Sequence, residues 1–123
     1  MYCLDTNVII DFLKNNKKII DKISNISREN LFITPINLCE LLKGADNSEK
    51  LKYFLEITDS LNFLEFNKEV CKSFGFLYLK LKKEGKMIPE ADLMIASFVK
   101  SYNLILITRD NHFKNIGINI EIC

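Results

Sequence analysis

Apolar and polar positions alternate along this chain in a way that predicts short buried strands separated by helices. Short apolar runs between polar segments indicate strands, and apolar residues that recur every three or four positions indicate helices. The predicted strands are residues 2–4 (YCL), 31–34 (LFIT), 62–66 (NFLEF), 104–108 (LILIT) and 118–122 (INIEI). The predicted helices are residues 8–13, 17–26, 35–44, 48–58, 68–84 and 89–102.

This order of elements predicts the fold class. Apolar strands that alternate with helices are typical of proteins in which helices cover both faces of a mostly parallel sheet. We therefore predict a three-layer α/β/α sandwich around a mostly parallel, twisted sheet of about five strands. The chain of 123 residues has no evident linker or repeat, so residues 1–123 are expected to form a single domain. Ligands of such sheets bind where the carboxyl ends of the strands meet the following loops.

Composition and charge narrow the class of protein. The chain is 48% hydrophobic and 27% charged, and its formal net charge is +1, which argues against binding nucleic acid through a broad basic surface. No apolar run approaches the roughly 20 residues that span a bilayer, and the N-terminus lacks the basic leader of a signal peptide. The four cysteines are scattered, which favours reduced thiols over disulfides or a zinc site. We expect a soluble, cytoplasmic protein.

Three acidic residues lie at positions where proteins of this fold class carry ligand-binding or catalytic residues. Asp5 directly follows the first predicted strand and Asp110 follows the fourth, so both lie at one edge if the two strands are parallel neighbours. Taken singly, each is better explained as a cap or turn residue. Asp92 shares a helix face with Ile95 and Val99 that should face the sheet. A buried carboxylate needs a partner or a metal, although an acid in a first helical turn also favours the helix dipole.

Among the four acids, Glu40 has the weakest support from the pattern of apolar residues around it. It lies opposite the face of its helix that carries Leu38 and Leu41, so spacing alone predicts an ordinary surface glutamate. The four acids indicate a site only when they are considered together, because clustered carboxylates repel one another unless a cation is present. Carboxylate oxygens are the hard ligands that Mg²⁺ and Mn²⁺ prefer. The hypothesis is a divalent-metal site.

Four blocks of the sequence have the order and spacing of one protein family. They are LDTNVII at 4–10, INLCELLKG at 36–44, ADLMIASF at 91–98 with Gly85 and Ile88 before it, and LILITRDNHF at 104–113. The chain thereby resembles the PIN-domain family, and in particular the VapC-type toxins of prokaryotic toxin–antitoxin pairs. The resemblance implies a PIN fold. It also implies that the catalytic and metal-binding acids are Asp5, Glu40, Asp92 and Asp110, that Thr6 and Asn7 support the first acid, and that Thr108 contacts the acidic centre.

The resemblance further implies an Mg²⁺- or Mn²⁺-dependent endoribonuclease. One or two ions among the four acids would acidify a water and stabilise the leaving oxygen of an RNA phosphodiester, giving 5′-phosphate and 3′-hydroxyl products. A small antitoxin protein and a second copy of the chain are the implied partners. The apolar residues in 36–42 and 54–55 are candidate antitoxin contacts, or simply core. Two alternatives stay open: a PIN nuclease of RNA processing, and a catalytically silent PIN binding module.

Three basic side chains lie beside the acids in the sequence. Arg109 and Lys43 are candidates for contact with the substrate phosphate, although solvated neighbours would look the same. His112 follows Asp110 by two residues; a general base is conceivable, but a lone loop histidine is more often incidental.

Other α/β enzymes fit less well. Phosphatases of the haloacid-dehalogenase type need a second aspartate two residues after the nucleophile, where this chain has Asn7. Dinucleotide binding lacks support because no glycine-rich turn follows a strand.

Overall fold

Five strands and six helices build the fold in the computed structural model, which describes residues 1–123. The strands are Tyr2–Leu4 (β1), Leu31–Ile33 (β2), Asn62–Phe63 (β3), Ile105–Thr108 (β4) and Asn119–Ile122 (β5). The helices are Thr6–Leu13 (α1), Lys17–Ser24 (α2), Pro35–Lys43 (α3), Ser48–Thr58 (α4), Lys68–Glu84 (α5) and Glu90–Ser101 (α6). Single 3₁₀ turns cover Arg28–Asn30 and Asn111–Phe113.

The five strands form one sheet in the order β3-β2-β1-β4-β5, and every neighbouring pair is parallel. The register pairs Leu4 of β1 with Ile107 of β4. The backbone N–H of Asp5 continues this ladder by donating to the carbonyl of Ile107 at 3.0 Å. The predicted sheet class is confirmed, and β1 and β4 are the parallel neighbours on which the argument about Asp5 and Asp110 depended.

Helices cover both faces of the sheet with apolar side chains. Successive side chains of a strand point to opposite faces, so Cys3 enters one core and Leu4 the other. The core on the Cys3 face is built largely from α5, α6 and β4, and the core on the Leu4 face from α1, α2, α3 and part of α4. This is the three-layer arrangement that the pattern predicted.

The element boundaries differ from the prediction by more than one residue at three places. Strand β3 ends at Phe63 rather than at residue 66, because Leu64 turns into the core and Asn67 then caps α5 by accepting from the N–H of Val70. Helix α1 begins at Thr6 rather than at residue 8, and α2 ends at Ser24 rather than at residue 26. None of the helices combines the length and the apolar composition that crossing a membrane requires.

A candidate metal centre at the carboxyl end of the sheet

Asp5 is held at the end of β1 by hydrogen bonds to both oxygens of its carboxylate. Its side chain is the N-cap of α1, and Oδ1 accepts from the N–H of Thr6 at 2.9 Å. Oδ2 accepts from the Oγ1 hydroxyl of Thr108 at 2.7 Å. Thr108 Oγ1 in turn accepts from the N–H of Asp110 at 3.0 Å. The buried Thr108 hydroxyl therefore links the ends of the two central strands, and Asp5 is only 5% exposed.

Glu40 reaches the same site through a chain of hydrogen bonds. Its Oε1 accepts from the hydroxyl of Thr6 at 2.8 Å, and that hydroxyl accepts from Nδ2 of Asn37 at 3.0 Å. Oδ1 of Asn37 accepts from the hydroxyl of Thr34 at 2.8 Å. Asn37 and Thr34 are fully buried. The glutamate that spacing assigned to the surface is exposed, but its carboxylate is oriented by Thr6, which lies in the first of the four sequence blocks.

Sequence reasoning missed Asn37 and Thr34, although one signal was available. Thr34 precedes Pro35, the proline that opens α3, and a threonine before the first helical residue is a favoured N-cap. The cap places the Thr34 hydroxyl against the N–H of Asn37 at 3.0 Å. The cap therefore also positions the amide that holds Thr6.

Asp92, Asp110 and His112 form the second part of the site. Nδ1 of His112 lies 3.2 Å from Oδ2 of Asp92 and 3.3 Å from Oδ2 of Asp110. One potential ligand atom from each of the three lies within 4.8 Å of the other two. The turn is closed by Oδ1 of Asp110, which accepts from the N–H of His112 at 2.9 Å. The histidine that the sequence suggested to be incidental therefore faces two of the four acids.

Burial and mutual repulsion disfavour the ionised form of two of the acids, Asp5 and Asp92. Burial raises the pKa of Asp5 above its ordinary value, and the charges of Asp92 and Glu40 add to the rise, against hydrogen bonds from Thr108 and Thr6 that lower it. Burial likewise raises the pKa of Asp92, against the hydrogen bond and charge of His112 that lower it, and the charges of Asp110 and Glu40 add to the rise. The acids thus act on one another as one cluster, and a cation among them would relieve both the repulsion and the cost of burial.

The remaining candidates lie around this cluster. Asn7 is half-buried beside Asp5, and its side chain makes no hydrogen bond within the protein. Arg109 is directed toward α1, where its Nε lies 3.3 Å from Oδ2 of Asp11. Lys43 is exposed at the end of α3. Contact of Arg109 and Lys43 with a substrate stays a prediction, as does the support of Asp5 by Asn7.

The two apolar segments considered as partner contacts are divided between core and surface. Leu41 and Phe54 are buried in the core, whereas Leu55 is exposed. Between α1, α3 and α4 lies a groove of about 390 Å³ whose lining includes Ile10, Tyr53 and, at the acidic cluster, Glu40. Core was therefore the right interpretation for part of each segment.

Comparison with known proteins agrees with the resemblance. The family model of the PIN domain matches residues 2–119. Ribonuclease VapC1 of Haemophilus influenzae (strain R2866) is 35% identical over 116 residues, which cover 89% of this chain and 87% of that protein. The tRNA(fMet)-specific endonuclease VapC of Shigella flexneri is 25% identical over 121 residues, covering 94% and 92%. The solved structure of VapBC-1 from nontypeable H. influenzae superimposes with a TM-score of 0.86 and 33% identity, covering 98% of this chain and 96% of that one. The chain therefore belongs to the PIN-domain family, in its VapC branch.

Proposed function

We propose that this protein is a divalent-metal-dependent endoribonuclease and the toxin of a VapBC-type toxin–antitoxin pair. The observation that carries the proposal is the convergence of four acids at the carboxyl end of the sheet in a chain of the VapC branch. Relatives named as ribonucleases support RNA as the substrate. The intact set of acids argues against the silent binding module, and the VapC relatives favour the toxin over a nuclease of RNA processing.

The donor set fits a hard divalent cation. Asp5, Glu40, Asp92 and Asp110 would hold the ion, because they offer carboxylate oxygens from four separate segments and no thiolate. The raised pKa values of Asp5 and Asp92 support this fit, since an uncompensated cluster of this kind is costly in a folded protein. When bound, Mg²⁺ or Mn²⁺ supplies a Lewis acid that acidifies the attacking water and offsets negative charge on the phosphate.

The protein's own groups position the acids. Thr108 orients the Asp5 carboxylate and the backbone of Asp110 with one hydroxyl. Thr6 orients Glu40, and Asn37 holds Thr6. Because these donors are buried and already paired, the acids need little rearrangement when the substrate arrives. Cleavage is proposed to leave a 5′-phosphate and a 3′-hydroxyl, with Arg109 and Lys43 as candidate phosphate contacts.

The antitoxin is proposed to occupy the groove between α1, α3 and α4. Exposed Tyr53 and half-buried Ile10 offer apolar surface there, and Glu40 is one of the lining residues. A basic side chain of the partner that follows this groove would reach the acids and block them. We propose a homodimer as well, because α5 exposes 77% of Phe76 and 51% of Leu79. The whole chain is proposed to be one PIN domain that acts in the cytoplasm, where its substrate and antitoxin are made.

The test is cleavage of total cellular RNA and of purified tRNA by untagged protein with Mg²⁺, Mn²⁺ or EDTA. We expect cleavage with either metal, none with EDTA, and none from Asp5→Asn or Asp92→Asn. Asp21→Asn is the matched control, because Asp21 is an exposed acid on α2 outside the cluster. Cleavage that survives complete metal removal, or 2′,3′-cyclic products, would contradict the mechanism.

A further inference from the structure

His112 contacts two acids of the metal centre although neither the family resemblance nor the proposed mechanism uses it. We infer that His112 is a nitrogen ligand of the cation that Asp92 and Asp110 bind. The inference rests on the metal centre of the proposed function and adds to it a fifth residue of different donor chemistry. It would make this half of the site a mixed oxygen and nitrogen site.

The distances are those of neighbouring ligands around one ion. Ligand atoms about 2.1 Å from an octahedral cation lie about 3 Å from one another when they are adjacent. Nδ1 of His112 lies 3.2 Å from the Asp92 oxygen and 3.3 Å from the Asp110 oxygen. A small movement of the exposed imidazole and the two partly buried carboxylates, with the imidazole proton on Nε2, therefore separates this arrangement from a ligand set.

The other contacts of the three residues leave these atoms available. Asp110 uses Oδ1 to accept from the His112 N–H and Thr108 holds its backbone, so Oδ2 is the oxygen that faces the imidazole. The only hydrogen bond of the Asp92 carboxylate is the one to His112. The imidazole is 54% exposed, and its second nitrogen has no partner in the protein, so a cation from solvent can reach the ring.

A simple hydrogen bond is the competing explanation. In that case His112 would hold the two acids together without touching the metal, and its loss would weaken all cations alike. A nitrogen ligand would instead favour ions that accept imidazole readily, so Mn²⁺ should lose more affinity than Mg²⁺ when the ring is removed. The two explanations therefore differ in metal preference and in direct spectroscopic contact.

Pulsed electron paramagnetic resonance of bound Mn²⁺ tests the contact without a variant. His112 is the only histidine of the chain, so in untagged protein without RNA an imidazole nitrogen coupling can come from no other residue. We expect a ¹⁴N coupling that changes on selective ¹⁵N-histidine labelling and is absent from His112→Gln. Bound Mn²⁺ without this coupling would overturn the inference and leave the metal centre intact. A wild-type protein that binds no Mn²⁺ would overturn the metal centre itself.

Calorimetry on folded variants tests the preference. His112→Gln should lower Mn²⁺ affinity by on the order of 10- to 100-fold, and Mg²⁺ affinity by less, since even outer contacts of metal ligands are worth this much. His112→Asp should restore Mg²⁺ binding by supplying an oxygen ligand, and Asn111→Ala should change neither affinity, because Asn111 is an exposed neighbour in the same turn. Equal losses for both ions in His112→Gln would overturn the inference, and circular dichroism shows whether each variant is folded.

Discussion

The two halves of the proposed metal centre, one with Asp5 and Glu40 and the other with Asp92, Asp110 and His112, are built differently. In the Asp5 half, every carboxylate contact comes from a threonine hydroxyl or a backbone amide, and the chain of hydrogen bonds continues through Asn37 to the buried Thr34. In the Asp92 half, the Asp92 carboxylate contacts only the exposed His112, and the Asp110 carboxylate contacts the His112 imidazole and accepts from the His112 N–H. The first half is completed by folding, whereas in the second half one exposed imidazole is the only side chain that offsets the charge of the acids.

The difference follows from where each half stands in the fold. Asp5 and Thr108 lie at the ends of two paired central strands, so the backbone hydrogen bonds between the strands bring the two side chains within hydrogen-bonding distance. Asp92 lies in the first turn of α6, and His112 lies in a 3₁₀ turn at the surface. Buried networks that are fully satisfied are rigid, whereas side chains on exposed turns rearrange at little cost. We therefore expect the Asp5 half to be preorganised before the cation arrives, and the Asp92 half to adjust when the cation binds.

The largest expected effect does not distinguish the halves, because chemistry needs both. Asp5→Asn and Asp110→Asn should each lower the rate of RNA cleavage by about 10³-fold, since several kcal/mol of metal-supplied stabilisation is lost in either case. The double variant should be no slower than the slower single variant, as expected for residues that act as one unit. Initial rates on a labelled RNA measure this. Losses that multiply in the double variant would mean two independent contributions.

Metal removal should lower the free energy of unfolding, mainly through the Asp92 half of the proposed metal centre. Saturating Mn²⁺, at about 100 times its dissociation constant, should raise the free energy of unfolding by about 2.7 kcal/mol, because only the folded chain assembles the ligands. Urea unfolding with Mn²⁺ and with EDTA measures the difference. Asp110→Asn should lose most of this gain. An equal gain in Asp110→Asn would place the stabilising ion outside the cluster.

Loss of a buried hydroxyl should act on the first half. Thr108→Val should lower the free energy of unfolding by about 2 kcal/mol, because it leaves the buried Asp5 carboxylate and the Asp110 N–H without their partner. Thr58→Val is the matched control, since that buried hydroxyl donates only to carbonyls of its own helix and should cost less, about 1 kcal/mol. Equal costs in urea unfolding would contradict a preorganised Asp5.

The smallest expected effect is a gain of stability in the metal-free protein. Asp92→Asn should raise the free energy of unfolding at neutral pH by on the order of 1 kcal/mol, because it removes a half-buried charge that other acids repel. The raised pKa of Asp92 means that the folded protein binds a proton more readily than the unfolded chain does. The wild type therefore loses stability as the pH rises from the ordinary pKa of an aspartate to the raised pKa of Asp92 in the folded protein. The variant's advantage should therefore vanish at low pH, where Asp92 is protonated. An advantage that persists there would point to packing rather than charge.

Much of the fold was predictable because it depends on local periodicity. The strand-to-helix alternation predicted the sheet class, and Asp5 and Asp110 follow β1 and β4 in any parallel arrangement of those strands. The apolar stripe of α6 likewise predicted that Asp92 faces inward, and the residue is partly buried. The length of β3 was overestimated, because only tertiary packing directs Leu64 into the core.

The sequence by itself determined the order of the elements, the positions of Asp5 and Asp110 directly after β1 and β4, and the family to which the chain belongs, since these depend on the identity and spacing of residues. Only the tertiary structure decided which side chains meet. Glu40 looks like a surface residue in its own helix and becomes part of the site through Thr6, which lies 34 positions earlier in the chain. His112 looked incidental because its partner Asp92 lies 20 positions away, and no periodicity along a chain encodes a contact between a loop and a helix that the sheet brings together.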